Sequence, residues 1–207
     1  MVEKSPPISR RRQETRRRLI DAALDVFAER GFGSSTVDQV CERAQFTKGA
    51  FYSNFAALDE LFLAAWEQRS AQMLAAVEAL VADRVCARVS STRDVVEQVL
   101  ETIPVDDKWY RLTAEFTAHA LRNPSLKRVV AAREETILAT LMPLLELLVA
   151  QLGREITDAA AFGSALVAVH DGTTVQCLID SDTDAARARR TDLFVQLVEH
   201  HTREIRS

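Results

Sequence analysis

The chain has 207 residues, 47% of them hydrophobic and 27% charged, which is enough to bury a sizeable core in one domain or two. With 6 Gly and 5 Pro it has little room for a loop-rich β architecture, and Ala, Leu, Glu, Arg and Gln are good helix formers. The net charge of −4 hides an asymmetry: residues 1–56 carry 10 Lys and Arg against 7 Asp and Glu, and residues 57–207 carry 16 against 23, so the basic end either meets a polyanion or is a solvated tail.

Residues 1–9 contain Pro6 and Pro7 and are expected to form a disordered arm. A first helix is predicted from about Arg10 to Arg30, because Leu19, Ile20, Ala23, Val26 and Phe27 follow helical spacing; Gly31 and Gly33 stop it. Thr36-Val37-Asp38-Gln39 fits a capping box, in which Thr36 caps a second helix and Gln39 reaches back. The turn is Gln45-Phe46-Thr47, and Thr47 caps a short third helix through Phe55. Two short helices joined by a tight turn, the second polar and lightly basic, form a device for placing side chains in a DNA major groove.

From Leu58 onward the pattern is helical throughout. Helices are predicted at about 58–84, 92–103, 107–122, 125–152, 156–180 and 184–205, punctuated by Ser90-Ser91-Thr92, Asn123-Pro124, Gly153 and Asp180-Ser181-Asp182. Cys41, Cys86 and Cys177 are odd in number and far apart, with no CxxC, and read as reduced thiols of a cytosolic protein. The N-terminus lacks the apolar run of a secretory signal. The most apolar stretch, Ile137 to Leu152, is interrupted by Pro143, Glu146 and Gln151 and is too short to span a bilayer. His200 and His201 are adjacent rather than four apart, so no metal site is expected, nor any cofactor. No Gly-rich phosphate loop, GxSxG or HExxH is present, so the chain does not read as an enzyme.

Over about residues 15–66 the chain resembles the tetracycline-repressor-like (TetR) family of bacterial transcription regulators. The matching positions are the Arg-rich start, Ile20-Asp21-Ala22-Ala23, Phe27-Ala28-Glu29-Arg30-Gly31-Phe32, Thr36-Val37, Ala44, Thr47-Lys48-Gly49, Phe51-Tyr52, Asn54-Phe55 and Glu60-Leu61. Residues 67–207 match in length, helicity and helix order alone. The resemblance implies an all-α homodimer with an N-terminal three-helix helix-turn-helix DNA-binding domain at residues 10–56. Residues 57–207 would form a C-terminal helical domain for ligand binding and dimerisation. It further implies that a ligand tilts the helix starting near Leu58 and alters the distance between the two reading heads. Two departures stand out. Gln45 occupies the turn position where Gly is usual, at a cost of about 1–2 kcal/mol if its φ is positive. Ala56 and Ala57 replace a Lys and a Ser or Asn cap, which removes phosphate contacts that the Arg10–Arg18 arm, including Arg17, would have to supply.

Within the reading helix, Lys48 is expected at a phosphate or a guanine edge, and Thr47 at a phosphate besides capping the helix. Gly49 would let the backbone approach the duplex closely, and Ala50 could meet a thymine methyl. Tyr52 and Asn54 can donate to phosphate oxygens. Ser53 and Gln39 stand evenly between DNA contact and plain helix positions, and Thr36 could grip the backbone where its helix begins. Trp66, Trp109, Phe116, His119, Met142, His170 and Gln176 are candidate pocket groups on helices that surround a cavity in such proteins, although each is also an ordinary core or helix residue. Phe162, Leu166 and Val169 form one apolar stripe, and Leu193, Phe194 and Leu197 another; they read as a dimer surface or as intramolecular core.

The expected function is that of a sequence-specific DNA-binding regulator, released from a pseudo-palindromic double-stranded operator by a small-molecule effector, in the cytoplasm and without a membrane. An architectural DNA-binding protein without ligand control, or an all-α small-molecule carrier, are the alternatives.

Overall fold

The computed structural model describes residues 10–84 and 91–205. The expected arm at residues 1–9 and Cys86 lie outside the described residues. Helices α1 (Arg10–Arg30), α2 (Val37–Ala44), α3 (Lys48–Tyr52), α4 (Leu58–Arg84), α5 (Thr92–Thr102), α6 (Asp107–Ala120), α7 (Pro124–Gln151), α8 (Ala159–Ile179) and α9 (Thr183–His201) follow in chain order, with a 3-10 turn at Phe32–Ser34. Two short strands, β1 (Arg154–Ile156) and β2 (Thr202–Glu204), complete the elements. No helix among the described residues is long and apolar enough to cross a membrane.

The chain groups into two compact units. One takes the described residues through Arg69 together with Arg111–His119; the other takes Ser70–Tyr110 and the described residues from Ala120 onward. In the first unit, Leu19, Ala23, Val26 and Phe27 of α1, Val40 of α2, Phe51 of α3 and Leu61 and Phe62 of α4 are all at most 2% exposed. Phe32 is wedged among aromatic rings, 5.0 Å from Phe27, 5.7 Å from Phe62 and 5.1 Å from Phe116. Edge-to-face packing of this kind adds to the area buried. In the second unit, Val77 and Val81 of α4, Val95 and Val96 of α5, Leu141, Leu145 and Leu148 of α7, Phe162 of α8 and Phe194 and Leu197 of α9 make one core. Where α8 meets α7, a Cβ built on Gly163 would stand 3.7 Å from Met142 Sδ and 3.8 Å from a Leu138 methyl, ordinary contact distances, so the packing would admit a methyl there.

Helix ends follow their caps. Asn123 Oδ1 accepts from Ser125 and Leu126 N–H at the start of α7, Asp158 caps α8 and Asp182 caps α9. Residues 156–158 and 202–205 are not helical as predicted. Gly153, at φ 71°, ends α7, and Arg154–Ile156 then pair antiparallel with Thr202–Glu204. Arg154 Nε donates to Thr202 Oγ1 at 2.7 Å, and Thr157 N–H donates to His201 O at 2.9 Å. α7 runs on through Pro143.

A buried polar cluster joins α8 to α9. The Arg190 guanidinium, 3% exposed, donates through Nη1 to Thr173 Oγ1 (3.1 Å) and Thr174 Oγ1 (2.8 Å), and Nη2 lies 3.0 Å from His170 Nδ1. Burial first, and the neighbouring Arg190 charge second, push the His170 imidazole down from 6.5 to about 4. His170 is therefore neutral, with Nδ1 accepting from Arg190.

This sets a pH dependence. Above pH 6.5, His170 is neutral in folded and unfolded chains alike and contributes no slope. As pH falls from 6.5 toward 4, the unfolded chain takes up the proton first, and up to about 3 kcal/mol of stability is lost. Urea unfolding across that window should register the loss, and His170→Gln, which keeps an acceptor for Arg190, should flatten that part of the profile. An unchanged profile in the variant would place the titrating group elsewhere.

Candidate nucleic-acid interface

The capping box at the head of α2 forms in full: Thr36 Oγ1 accepts from Gln39 N–H at 3.3 Å and Gln39 Oε1 accepts from Thr36 N–H at 3.0 Å. At its other end, Phe46 N–H donates to Cys41 O (2.9 Å) and Gln45 N–H to Glu42 O (3.2 Å). These two bonds close a Schellman turn, which requires a left-handed residue between them. Gln45 takes that conformation at φ 57° and ψ 42°, the one positive φ outside glycine among the described residues. Thr47 then caps α3 by accepting from Ala50 N–H at 3.2 Å.

α3 is shorter than predicted and stops at Tyr52. Ser53 Oγ and Asn54 Nδ2 both donate to Ala50 O, at 2.9 and 2.8 Å, and the backbone closes in tight bonds from Asn54 and Phe55 N–H to Phe51 O. Side chains that bid for the helix's own carbonyls end it early. Phe51 and Phe55 are buried beneath, with ring centroids 5.9 Å apart.

The outer side of the helix pair carries most of the expected contact residues. Thr36, Thr47, Lys48, Gly49 and Ser53 are exposed, and Tyr52 is 57% exposed in spite of its aromatic ring. Gln39 and Ala50 are half-buried. A Cβ on Gly49 would meet nothing nearer than Thr47 Oγ1 at 3.7 Å, so the fold itself does not demand glycine there. Lys48 Nζ lies 2.7 Å from Asp38 Oδ1, and that hydrogen bond raises the ammonium above its usual range. Both partners are more than 60% exposed, so the pair is screened and open to exchange for another anion. Asn54 is placed differently from its neighbours: it is 9% exposed and its amide donates to Ala50 O and Ser53 Oγ. Arg17 is exposed and holds Glu14 at 2.6 Å and Asp21 at 3.1 Å.

At the start of α4, Glu60 Oε2 accepts from Ala56 N–H at 2.6 Å, so a reaching carboxylate serves where a capping hydroxyl is missing. Glu115 of α6 was not anticipated. Its Oε2 accepts Phe32 N–H at 2.6 Å and occupies the space beside Gly31 (φ 82°), where a Cβ would come within 3.0 Å. Leu112, Glu115, Phe116 and His119 share one helix face, and a carboxylate inside such a stripe is the signal that marks it. Arg190 stands in the same way between Ala186 and Phe194.

The expected pocket residues divide between the units. Trp66, Phe116 and His119 come together in the first: Phe116 is stacked on Phe62 at 4.1 Å, with Trp66 at 6.4 Å and His119 at 6.2 Å. His119 Nε2 lies 3.3 Å from Asp59 Oδ1 but off the line of a hydrogen bond. In the second unit, Met142 packs at Gly163, His170 belongs to the Arg190 cluster, Trp109 N–H donates to Asp106 Oδ1 (3.0 Å), and Gln176 is exposed. Of the two apolar stripes, Phe162, Phe194 and Leu197 belong to the core. Val169, Leu193 and Leu197, with Ala165, line a shallow groove of about 600 Å3 between α8 and α9, and Leu166 is half-buried. Leu193 is 40% exposed.

Two family models match the chain. One is described as bacterial regulatory proteins, tetR family, over residues 19–65, and the other as BetI-type transcriptional repressor, C-terminal, over residues 88–205. The HTH-type transcriptional regulator SrpR of Pseudomonas putida is 49% identical over 43 residues, covering 21% of this chain and 20% of that protein. The chain thus spans well under two thirds of the length of the curated relatives it matches. Among solved structures, a candidate TetR-family transcriptional regulator of Mesorhizobium loti superposes with TM-score 0.70 at 17% identity, covering 93% of this chain and 97% of that one. The multidrug binding protein EbrR, solved with imidazole, superposes with TM-score 0.58 at 28% identity, covering 93% and 97%.

The left-handed turn can be probed directly. Gln45→Gly removes a backbone cost of about 1–2 kcal/mol, partly offset by the freer unfolded chain, so a gain of up to about 1 kcal/mol is expected. Gln45→Val, branched at Cβ, should instead lose at least about 1 kcal/mol. A valine variant as stable to urea as the parent would rule out the left-handed turn.

Proposed function

The chain belongs to the TetR family of bacterial regulatory proteins, and on that premise we propose that it is a sequence-specific DNA-binding transcription regulator, a repressor released from its operator by a small-molecule effector. The carrying observation is the pair α2 and α3, capped at both starts and joined by a Schellman turn, with Lys48 and Tyr52 held outward. A polar, solvent-facing short helix on an aromatic base suits entry into a major groove. Family and fold are those of regulators rather than enzymes.

In this reading residues 10–56 contact DNA and 57–207 bind ligand and partner. Lys48, Thr47, Thr36 and Tyr52 grip phosphates, Ala50 and Ser53 face base edges, and the bare backbone at Gly49 comes closest to the duplex. Lys48 exchanges Asp38 for a phosphate on binding. Asn54 acts by closing the end of α3. A second copy of the chain docks on the α8–α9 groove through Val169, Leu193 and Leu197, since one short helix reads too few base pairs for useful specificity. Two-fold heads would then engage half-sites about 34–36 Å apart, or a multiple of that. The repressor role is supported by the BetI-type repressor match, and a small-molecule effector by the drug-binding neighbour EbrR. Such a protein works in the cytoplasm.

The test is selection of random duplex DNA on the purified protein, with salt titration of the winner. An enriched palindrome bound by a dimer, with a steep salt dependence, is the expected result. Salt-sensitive binding without an enriched sequence would favour an architectural role, and no binding would sink the reading. In the same assay Lys48→Ala should weaken all sequences alike and lower the salt slope by about one. An unchanged slope would remove Lys48 from the phosphate contacts.

A further inference from the structure

The N-terminal basic run is not one uniform patch. Arg12 Nη2 donates to Ser53 O at 3.1 Å. Arg16 Nη1 donates to Asn54 O at 3.0 Å, and its guanidinium lies over the Phe55 ring, 4.2 Å from the centroid. Arg18 Nη2 donates to Ala44 O at 3.1 Å, with its guanidinium 4.8 Å from the centre of the Phe46 ring. The geometry points to a positioning role for these three arginines: they tie the ends of α2 and α3 to α1 and thereby hold the reading helix, rather than binding phosphate themselves.

The chemistry of the acceptors is what selects arginine. Ala44 O is one of the last carbonyls of α2, and Ser53 O and Asn54 O lie just beyond α3. Carbonyls at a helix end have no partner within the helix and carry its negative dipole, so a cation that also donates is favoured there. A planar guanidinium can donate at its edge and stack through its face at once, which an ammonium cannot. Arg18 grips the Schellman turn on one side of α3; Arg12 and Arg16 grip the chain on the other. α3 itself has five residues, too few to hold its own direction. The exposed Arg10 and Arg11, with Arg17 if it releases its acidic partners, are left as the phosphate-facing charges of α1.

This inference rests on the DNA-binding reading, and the two can fail separately. Arg12→Lys, Arg16→Lys and Arg18→Lys keep the charge; the last two lose the edge-and-face geometry and the first the guanidinium edge. In the full chain, Arg16→Lys and the double variant Arg12→Lys/Arg16→Lys should bind the selected duplex about tenfold more weakly, with the salt slope of the parent. Amide hydrogen exchange over residues 45–55 should quicken in the same variants, and the parent arginine alone should restore protection. Lysine variants that bind and exchange like the parent would overturn the proposal. So would alanine variants whose salt slope drops by about one per residue, which is the signature of a phosphate contact. Should the parent bind no DNA, the functional reading falls, while the exchange rates still decide the tether: faster exchange upholds it and unchanged exchange refutes it.

Discussion

A helix of five residues cannot define its own direction, and α3 has only five. Everything around it supplies what it lacks. Thr47 fixes where it starts, and Ser53 and Asn54 fix where it stops. Phe51 and Phe55 anchor it from below in an aromatic layer. The left-handed Gln45 sets the angle at which the chain arrives from α2. The N-terminal unit thus fixes the direction of a helix of about one and a half turns that does not set it alone.

Charge is distributed with the same economy. A chain of net charge −4 concentrates its cations at one end, yet many of them already have partners inside the protein. Arg43 holds Glu29 at 2.6 Å, Lys48 holds Asp38, and Arg17 holds Glu14 and Asp21. These pairs are exposed and therefore exchangeable, whereas the guanidinium at position 190 is enclosed, donates to two hydroxyls, lies beside a neutral imidazole and stands over the Phe194 ring at 5.4 Å. The surface pairs can trade partners when a polyanion arrives. The enclosed one can only stay or break its cluster.

Most of the fold was legible because helices announce themselves through spacing and caps: Leu19, Ala23, Val26 and Phe27 point one way, and Thr36, Asn123 and Asp182 each sit where a helix starts. The β1–β2 pair was not, because Arg154-Glu155-Ile156 and Thr202-Arg203-Glu204 are too short to show alternation and their pairing is 48 residues apart. The early end of α3 depends on which side chain wins the Ala50 carbonyl, a contest that spacing does not record. In the candidate interface, the outward placement of Lys48 and Tyr52 followed from the pattern. The roles of Glu115 and Arg190 did not, since a charge in an apolar stripe tells of a partner without naming it.

The β1–β2 pairing has a mechanical consequence. α8 and α9 are joined at one end by the covalent turn at Asp180–Asp182 and at the other by the strand pair, so the two helices form a ring of chain closed at both ends. Arg190 crosses the middle of that ring. Neither helix can slide along the other by a turn, nor unwind from its free end, without opening the sheet. The α8–α9 pair that lines the groove therefore behaves as one stiff part: any motion it takes up is that of the whole pair rather than of a single helix within it.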